Sequence, residues 1–154
     1  MIKVLFICHG NICRSPMGEF LLKYLTKKEG VSDQFYIESC ATSTEEIGRS
    51  LHPGAKAKLD EMGIPNHRRQ ARQLNSQDYD RFDYLLCMDE WNVRNSMRIL
   101  RKDPEHKVHM LLEYAGQHRE IADPWYTGNF DETYDDLMVG CKDFLAYLKE
   151  NQEI

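Results

Sequence analysis

The chain has no apolar segment that approaches the roughly 20 residues needed to cross a bilayer, so we predict no membrane span. It also lacks an excess of positive charge. Its formal net charge of -5 argues against general nucleic-acid binding, which requires a basic face. The chain has only 5 cysteines, an odd number, and the N-terminus shows no secretory leader pattern. We therefore expect the protein to reside in a reducing cytoplasm.

The residues that are present are those of an ordinary globular domain, with 42% hydrophobic and 29% charged side chains. A chain of 154 residues fits around one core, and we find no repeat, low-complexity tract or linker. We expect residues 1–154 to form a single domain.

Short apolar runs alternate with helical patterns along the chain. Strands are predicted at residues 3–8, 35–40, 84–88 and 108–112, and helices at 15–30, 53–63, after 89 and over 134–148. Ser15 is expected to cap the first helix, with Pro16 at its first position. The alternation predicts an α/β fold, an open parallel sheet of about four strands with helices on both faces. The loop between the first strand and the first helix then lies at the carboxyl edge, where such sheets bind ligands.

This loop, residues 8–15, carries the chemistry. Its backbone N–H groups can converge with the positive end of the following helix and form a cradle for an anion. Such a cradle favours the thiolate form of Cys8, a nucleophile that can attack phosphorus. Arg14 closes the loop, and its planar guanidinium can hold two phosphoryl oxygens at once. The sequence therefore predicts a phosphate-binding loop with a nucleophilic thiol.

The other loop residues shape the same site. Gly10 and Asn11 suit the unusual backbone angles of a tight turn, and Ser15 can donate a hydrogen bond to the Cys8 sulfur. His9 and Cys13 complete the lining. Cys8, His9 and Cys13 could instead be half of a zinc site, but no second ligand pair follows at a suitable spacing, so no metal is expected.

These motifs resemble those of the low-molecular-weight protein tyrosine phosphatases, whose signature of Cys, five residues, Arg and then Ser or Thr lies near the N-terminus. The resemblance covers essentially the whole chain. Its segments are Gly10-Asn11, Cys13-Arg14-Ser15-Pro16, Cys87-Met88-Asp89 and Asp123-Pro124-Trp125-Tyr126. It implies hydrolysis of phosphotyrosine and other aryl phosphates through a phosphocysteine intermediate, without a cofactor.

The resemblance also implies that Asp123, which precedes Pro124, is the proton donor. A departing phenolate has a conjugate-acid pKa of about 10, so a positioned carboxylic acid speeds its departure. Asp123 can then deprotonate the water that hydrolyses phosphocysteine. Trp125 and Tyr126 are expected to supply aromatic walls for the substrate ring, and the sequence leaves open which of them faces it.

Three positions bear on specificity and regulation through the same resemblance. Ile12 narrows the cradle and favours phosphotyrosine over phosphoarginine, because a phosphoarginine-directed branch is expected to carry threonine there. Glu45 stands where better-known eukaryotic members place a large aromatic residue at the cleft rim, which leaves the peptide preference open. Cys13 either forms a protective disulfide with Cys8 or simply packs within the loop.

The resemblance further implies a hydrogen-bond network that supports Asn11 through Ser15, Ser39 and a histidine. Arg68 stands at or near the histidine position, and His67 is beside it, so the third partner remains open. The remaining cysteines, Cys40, Cys87 and Cys141, are expected to be small buried hydrophobes.

Other functions are compatible with an anion-binding loop. A thiol-dependent arsenate reductase needs a relay of closely spaced cysteines, which Cys87 lacks within the next dozen residues. A simple phosphate-binding module needs neither a thiol nor an Asp-Pro loop. We therefore favour a monomeric phosphatase whose partner is a phosphotyrosine-containing protein or a small aryl phosphate. The alternatives are a thiol-dependent arsenate reductase and a phosphoarginine phosphatase.

Overall fold

The computed structural model describes residues 1–154 and contains one sheet of four parallel strands. The strands are β1 (Ile2–Cys8), β2 (Phe35–Ala41), β3 (Tyr84–Cys87) and β4 (Val108–Met110), in the order β2-β1-β3-β4. β1 lies in the centre, with Cys8 opposite Ala41 and Ile7 opposite Cys87. This position explains its unbroken apolar run, because a central parallel strand is covered on both faces. The predicted α/β fold with about four parallel strands is confirmed.

Six α-helices connect or follow the strands. They are α1 (Arg14–Lys28), α2 (Pro53–Glu61), α3 (Asp78–Arg81), α4 (Glu90–Leu100), α5 (Pro124–Thr127) and α6 (Phe130–Glu150). Two 3-10 segments, Ser32–Gln34 and Leu111–Ala115, complete the structure. None of these helices could span a membrane.

The side chains of β1 alternate between two hydrophobic cores, one on each face of the sheet. Val4 and Phe6 belong to the larger core, with residues of α1, α2 and α6. Leu5 and Ile7 belong to the smaller core, which includes Leu100 of α4. Helices therefore cover both faces. Burying each large apolar side chain contributes about 1.5–3 kcal/mol, so these cores fix the position of β1 and of the loop that follows it.

The start of α1 differs from the sequence prediction. The helix begins at Arg14, with Cys13 rather than Ser15 at the N-cap position and no side-chain cap. The Ser15 hydroxyl cannot cap the helix because it lies beside the Cys8 sulfur and accepts a hydrogen bond from Asn11. Pro16 then occupies the third helical position, where a backbone N–H would still have no partner within the helix.

The carboxyl ends of β1 and β3 bring distant segments to one edge of the sheet. Residues 9–13 lie between β1 and α1, and Asp89 caps α4 directly after β3. The short helix α5, capped by Asp123, approaches the same place from the C-terminal half of the chain. This edge is where the candidate site lies.

Candidate active site

Cys8 is the last residue of β1, and its sulfur lies at the focus of the following loop. The backbone N–H groups of Asn11 and Ser15 donate to the sulfur at 3.3 and 3.4 Å, and the Ser15 hydroxyl oxygen is 3.0 Å away. The residue is only 3% exposed. Two backbone N–H groups thus converge on the sulfur, as in the predicted cradle, and such donors can stabilise negative charge there. The thiol itself donates to the Ser15 hydroxyl oxygen, the reverse of the expected direction.

Asn11 holds the loop in this shape from behind. It has a positive φ of 60°, a left-handed conformation that asparagine tolerates better than most residues, and it is fully buried. Its side-chain Nδ2 donates to Ser15 Oγ at 2.8 Å and to Ser39 Oγ at 2.9 Å. Its Oδ1 accepts hydrogen bonds from the Arg72 backbone N–H at 3.2 Å and from the Arg69 guanidinium. The amide thus uses both its donors and both lone pairs, which fixes its orientation.

The third partner of Asn11 is Arg69, not Arg68 or His67. His67 instead packs edge-on against Phe20, with ring centroids 5.0 Å apart, and Arg68 is exposed. Burial lowers the pKa of the Arg69 guanidinium, an effect that Glu19 and Cys8 oppose. The guanidinium of Arg69 thus places a positive charge directly behind the phosphate loop.

Glu19 extends the same network. It accepts a hydrogen bond from Ser39 Oγ at 2.6 Å and pairs with Lys23 one turn further along α1 at 2.6 Å. Because Ser39 Oγ accepts from Asn11 and donates to Glu19, the network joins β2 and α1 to the loop. The sequence shows a loop asparagine and a glutamate on the adjacent helix. Only the three-dimensional structure shows that one hydrogen-bond network connects them.

Arg14 is held by three groups from distant parts of the chain. Its Nη1 donates to Asp89 at 2.7 Å and to the Ile121 carbonyl at 3.0 Å, and its Nη2 lies 3.4 Å from Asp123 Oδ2. Burial by itself disfavours the guanidinium charge, but Cys8, Asp89 and Asp123 outweigh it, and the pKa of Arg14 is raised. The side chain is therefore a fixed cation beside the cradle, suited to binding phosphoryl oxygens.

Asp123 reaches the cleft from the N-terminal cap of α5. Its Oδ1 accepts a hydrogen bond from the Trp125 backbone N–H at 3.0 Å, and Pro124 occupies the first helical position. The extended backbone of Asp123, with φ -81° and ψ 114°, is the one favoured before proline. Oδ2 faces Arg14, so the carboxyl group lies in the same cleft as the Cys8 thiol.

One cleft brings most of the predicted site residues together. Its lining consists of Cys8, His9, Gly10, Ile12, Cys13, Arg14, Glu45, Glu46, Asp123, Trp125 and Tyr126. Asn11 and Ser15 of the loop, and Ser39 behind it, are buried and do not line the cleft. At the rim, His9 Nε2 is 2.8 Å from Glu45. Trp125 is 55% and Tyr126 82% exposed, so both aromatic rings are available to a ligand.

Glu46 belongs to this cleft but was not predicted. A Cβ atom added at Gly10 would lie 3.2 Å from the Glu46 Cγ atom, so glycine permits the close approach of the two loops. Asp89 was also missed as an Arg14 partner. Asp89 follows β3, and the carboxyl ends of β3 and β1 lie side by side. This adjacency was the feature that could have indicated Asp89 as a partner of Arg14.

The five cysteines fall into two groups. Cys8 and Cys13 line the cleft, whereas Cys40, Cys87 and Cys141 are fully buried, as expected of small hydrophobes. Burial raises the pKa of the Cys13 thiol to about 12, with further contributions from Cys8 and Asp123. Burial likewise raises the pKa of Cys87 to about 12. No three or more His, Cys, Asp and Glu side chains are grouped so that they could hold a metal ion.

Comparison with known proteins places this geometry in a family context. Residues 3–154 match the family model described as low molecular weight phosphotyrosine protein phosphatase. The chain is 36% identical over its full length to the low molecular weight protein-tyrosine-phosphatase YfkJ of Bacillus subtilis, and all of that protein is covered. It is 40% identical to the low molecular weight phosphotyrosine protein phosphatase of Sus scrofa, with 96% of each chain covered.

Solved structures agree with the sequence comparison. The crystal structure of YfkJ superposes with a TM-score of 0.93, at 35% identity, over 98% of this chain and 96% of the other. A Drosophila arginine phosphatase also shares the fold, with a TM-score of 0.86 and 29% identity over 96% of this chain and 98% of the other.

Proposed function

Because the chain belongs to the low molecular weight phosphotyrosine protein phosphatase family, we propose that Cys8 is the nucleophile that removes phosphate from phosphotyrosine and other aryl phosphates. The phosphocysteine mechanism is general to this family, and the protein is a phosphatase. The observation that carries the residue assignment is the convergence of two backbone N–H groups and the Ser15 hydroxyl on the Cys8 sulfur.

In the first step, the Cys8 thiolate attacks phosphorus and the bond between phosphorus and the phenolic oxygen breaks. The backbone N–H groups of the loop and the Arg14 guanidinium hold the phosphoryl oxygens as their charge is redistributed. Asp123, in its protonated form, gives its proton to the departing phenolate. Its place in the cleft, with Oδ2 3.4 Å from Arg14, supports this role.

In the second step, water attacks phosphocysteine and the sulfur leaves as a thiolate. Asp123 takes the proton from this water, so the same carboxyl group acts as acid and then as base. Ser15 Oγ lies 3.0 Å from the Cys8 sulfur and accepts a hydrogen bond from Asn11 Nδ2. Its own proton, which is directed to the Cys40 carbonyl at 3.4 Å, can turn to the departing thiolate. Inorganic phosphate is released and the enzyme is restored.

Ile12 supports a preference for phosphotyrosine over phosphoarginine. Its side chain lines the cleft and packs in a small apolar cluster with Cys13 and Ala71. A flat aromatic ring suits an apolar lining beside aromatic walls better than a charged guanidino group does.

Phosphate release from p-nitrophenyl phosphate, phosphotyrosine and phosphoarginine, with Cys8→Ser beside the unmodified protein, tests the proposal. We expect aryl turnover that the substitution abolishes, while inorganic phosphate still binds. Turnover selective for phosphoarginine would preserve the mechanism and refute the Ile12 argument. Arsenate reduction with thioredoxin, without aryl phosphate hydrolysis, would refute the proposed reaction.

The setting in which the enzyme acts is also a proposal. All five cysteines are free thiols, which fits a reducing cytoplasm. We propose that the protein acts there as a monomer on a phosphotyrosine-containing protein or a small aryl phosphate. Fractionation of cells and sedimentation of the purified protein would test location and oligomeric state separately.

A further inference from the structure

Two surface hollows continue from the active-site cleft along one side of the molecule. The first is lined by Ile12 and Trp125, which also line the cleft, together with residues 49–53. The second shares Ser50 and Leu51 with the first and extends to Lys56 and residues 66–69. The two hollows therefore form one trough that begins at the mouth of the active site, here called the Arg68 trough.

Every charged residue that lines the Arg68 trough is basic. These residues are Arg49, Lys56, Arg68 and Arg69, and no carboxylate lines either hollow. The chain as a whole has a formal net charge of -5, so this local composition is the reverse of the average surface. A cationic groove on an acidic protein attracts anionic partners to one place.

The four basic side chains of the trough differ in whether another side chain of the protein already pairs with them. Arg49 lies 2.9 Å from Glu46 and Lys56 lies 3.1 Å from Asp60. Arg69 donates to Asn11 behind the phosphate loop. Arg68 is exposed and has no carboxylate within 4.0 Å. Arg68 is therefore the cation with the most capacity to bind a new carboxylate.

The cleft and the trough differ in the charge of the residues that line them. Glu45, with a side chain 68% exposed, and Glu46 line the cleft, whereas every charged residue of the trough beyond Ile12 and Trp125 is a cation. A peptide whose phosphorylated residue enters the cleft can place its neighbouring residues along the trough. Acidic residues are attracted there and repelled by the carboxylates of the cleft.

We propose that the Arg68 trough binds an acidic segment that flanks the phosphorylated residue of a protein substrate. The proposal rests on the phosphatase function and adds the substrate class. The trough selects among phosphoproteins by charge and takes no part in the chemical step. Exposed ion pairs are individually weak, so two acidic residues are expected to raise kcat/KM by about three- to tenfold, mainly through KM. Added salt reduces the gain, because exposed charges are screened.

Three phosphotyrosine peptides test the proposal: one with two glutamates on the N-terminal side, one with two on the C-terminal side, and one with glutamines on both. We expect one acidic peptide to have the highest kcat/KM with the unmodified protein. Arg68→Glu should abolish or reverse that preference, and Lys56→Gln, on α2, should weaken it. Arg98→Glu makes the same charge change at an exposed arginine of α4 that lines neither hollow, and should preserve it.

The controls separate failure of this proposal from failure of the proposed reaction. p-Nitrophenyl phosphate does not extend into the trough, so Arg68→Glu and Arg98→Glu should hydrolyse it like the unmodified protein. Binding of the same peptides to Cys8→Ser, measured by fluorescence anisotropy, reports the preference even without turnover. Equal affinities for the three peptides, or a preference that Arg68→Glu leaves unchanged, would overturn the acidic-segment proposal.

Discussion

The floor and the rim of the active-site cleft differ in how firmly their side chains are held. The floor, defined as Cys8, Asn11, Arg14 and Ser15, is at most 3% exposed, and the Asn11 amide uses all its hydrogen-bonding positions. The rim, defined as Glu45, Trp125 and Tyr126, is exposed. Fixed groups suit a reaction whose charges must meet preorganised partners, whereas exposed groups are suited to contact with varied substrates. Changes in the floor should therefore lower kcat for every substrate, and changes in the rim should alter KM in a substrate-dependent way.

The largest effect is expected at Asp123, which lies between floor and rim. Asp123→Asn keeps an acceptor for the Trp125 N–H and so preserves the cap of α5, but it cannot donate a proton as the carboxylic acid does. We expect kcat/KM, which reports the first step, to fall by about 10²–10⁴ for phenyl phosphate, and less for p-nitrophenyl phosphate, whose leaving group needs less protonation. Steady-state kinetics across leaving groups measures this, and equal losses for both substrates would count against Asp123 as the acid.

Arg14→Lys tests the floor directly. Lysine retains the charge but cannot present a planar fork to two phosphoryl oxygens while bonding Asp89 and the Ile121 carbonyl. We expect kcat to fall by about 10²–10³ for all aryl phosphates. Arg98→Lys, on the exposed face of α4, is the control and should leave kcat unchanged, with thermal unfolding recorded for both variants.

Arg69 and Arg68 are neighbours in sequence, and comparing substitutions at the two positions tests what supports the floor. Arg69→Met leaves Asn11 Oδ1 with one donor instead of two, at a cost of about 1–3 kcal/mol. When most of this free-energy cost destabilises the transition state, kcat falls by about tenfold while KM changes little. Arg69→Lys should recover part of the loss, because an ammonium group can still donate to Asn11.

Arg68→Met removes the adjacent charge without touching Asn11 and should leave p-nitrophenyl phosphate hydrolysis unchanged. Similar losses in Arg69→Met and Arg68→Met would mean that net charge near the loop, and not the hydrogen bond to Asn11, supports the floor.

The smallest effects are expected at the rim. Trp125→Ala and Tyr126→Ala should each raise KM for phosphotyrosine by about two- to tenfold, the range expected for one aromatic contact. Trp125 should matter more because it packs edge-on against His52 at 5.7 Å and is less exposed than Tyr126. Inhibition by inorganic phosphate, which lacks a ring, should not change in either variant. Weaker phosphate inhibition would show that the rim also shapes the floor.

Local sequence patterns predicted the elements that depend on local forces. The apolar run of β1, the loop of residues 8–15 and the apolar stripe of α6 were all visible, because burial and helical spacing determine them. β4 was expected to reach residue 112, but it ends at Met110, since Leu111 and Leu112 turn inward as a 3-10 segment and join the core. The predicted cap of α1 was wrong for a similar reason, because the Ser15 hydroxyl oxygen accepts a hydrogen bond from the Cys8 thiol instead.

The predictions for the candidate site divide in the same way, between local features and contacts of distant segments. The site residues contiguous with Cys8 were predicted from their spacing, and Asp123 was predicted only through resemblance. Asp89, Glu19, Glu46 and Arg69 were missed because their roles depend on contacts between segments far apart in the chain. Arg69 shows this most clearly: three consecutive basic residues, 67–69, look alike in sequence, and only the third reaches Asn11.

The most direct test of the mechanism is to detect phosphate on Cys8 itself. Asp123→Asn, mixed with p-nitrophenyl phosphate and denatured rapidly, should accumulate the intermediate, because the base for its hydrolysis is missing. Mass spectrometry is expected to find phosphate on the peptide that contains Cys8, to find it again in the Cys13→Ser background, and to lose it with Cys8→Ser. Turnover without protein-bound phosphate, or phosphate on another residue, would contradict Cys8 as the nucleophile.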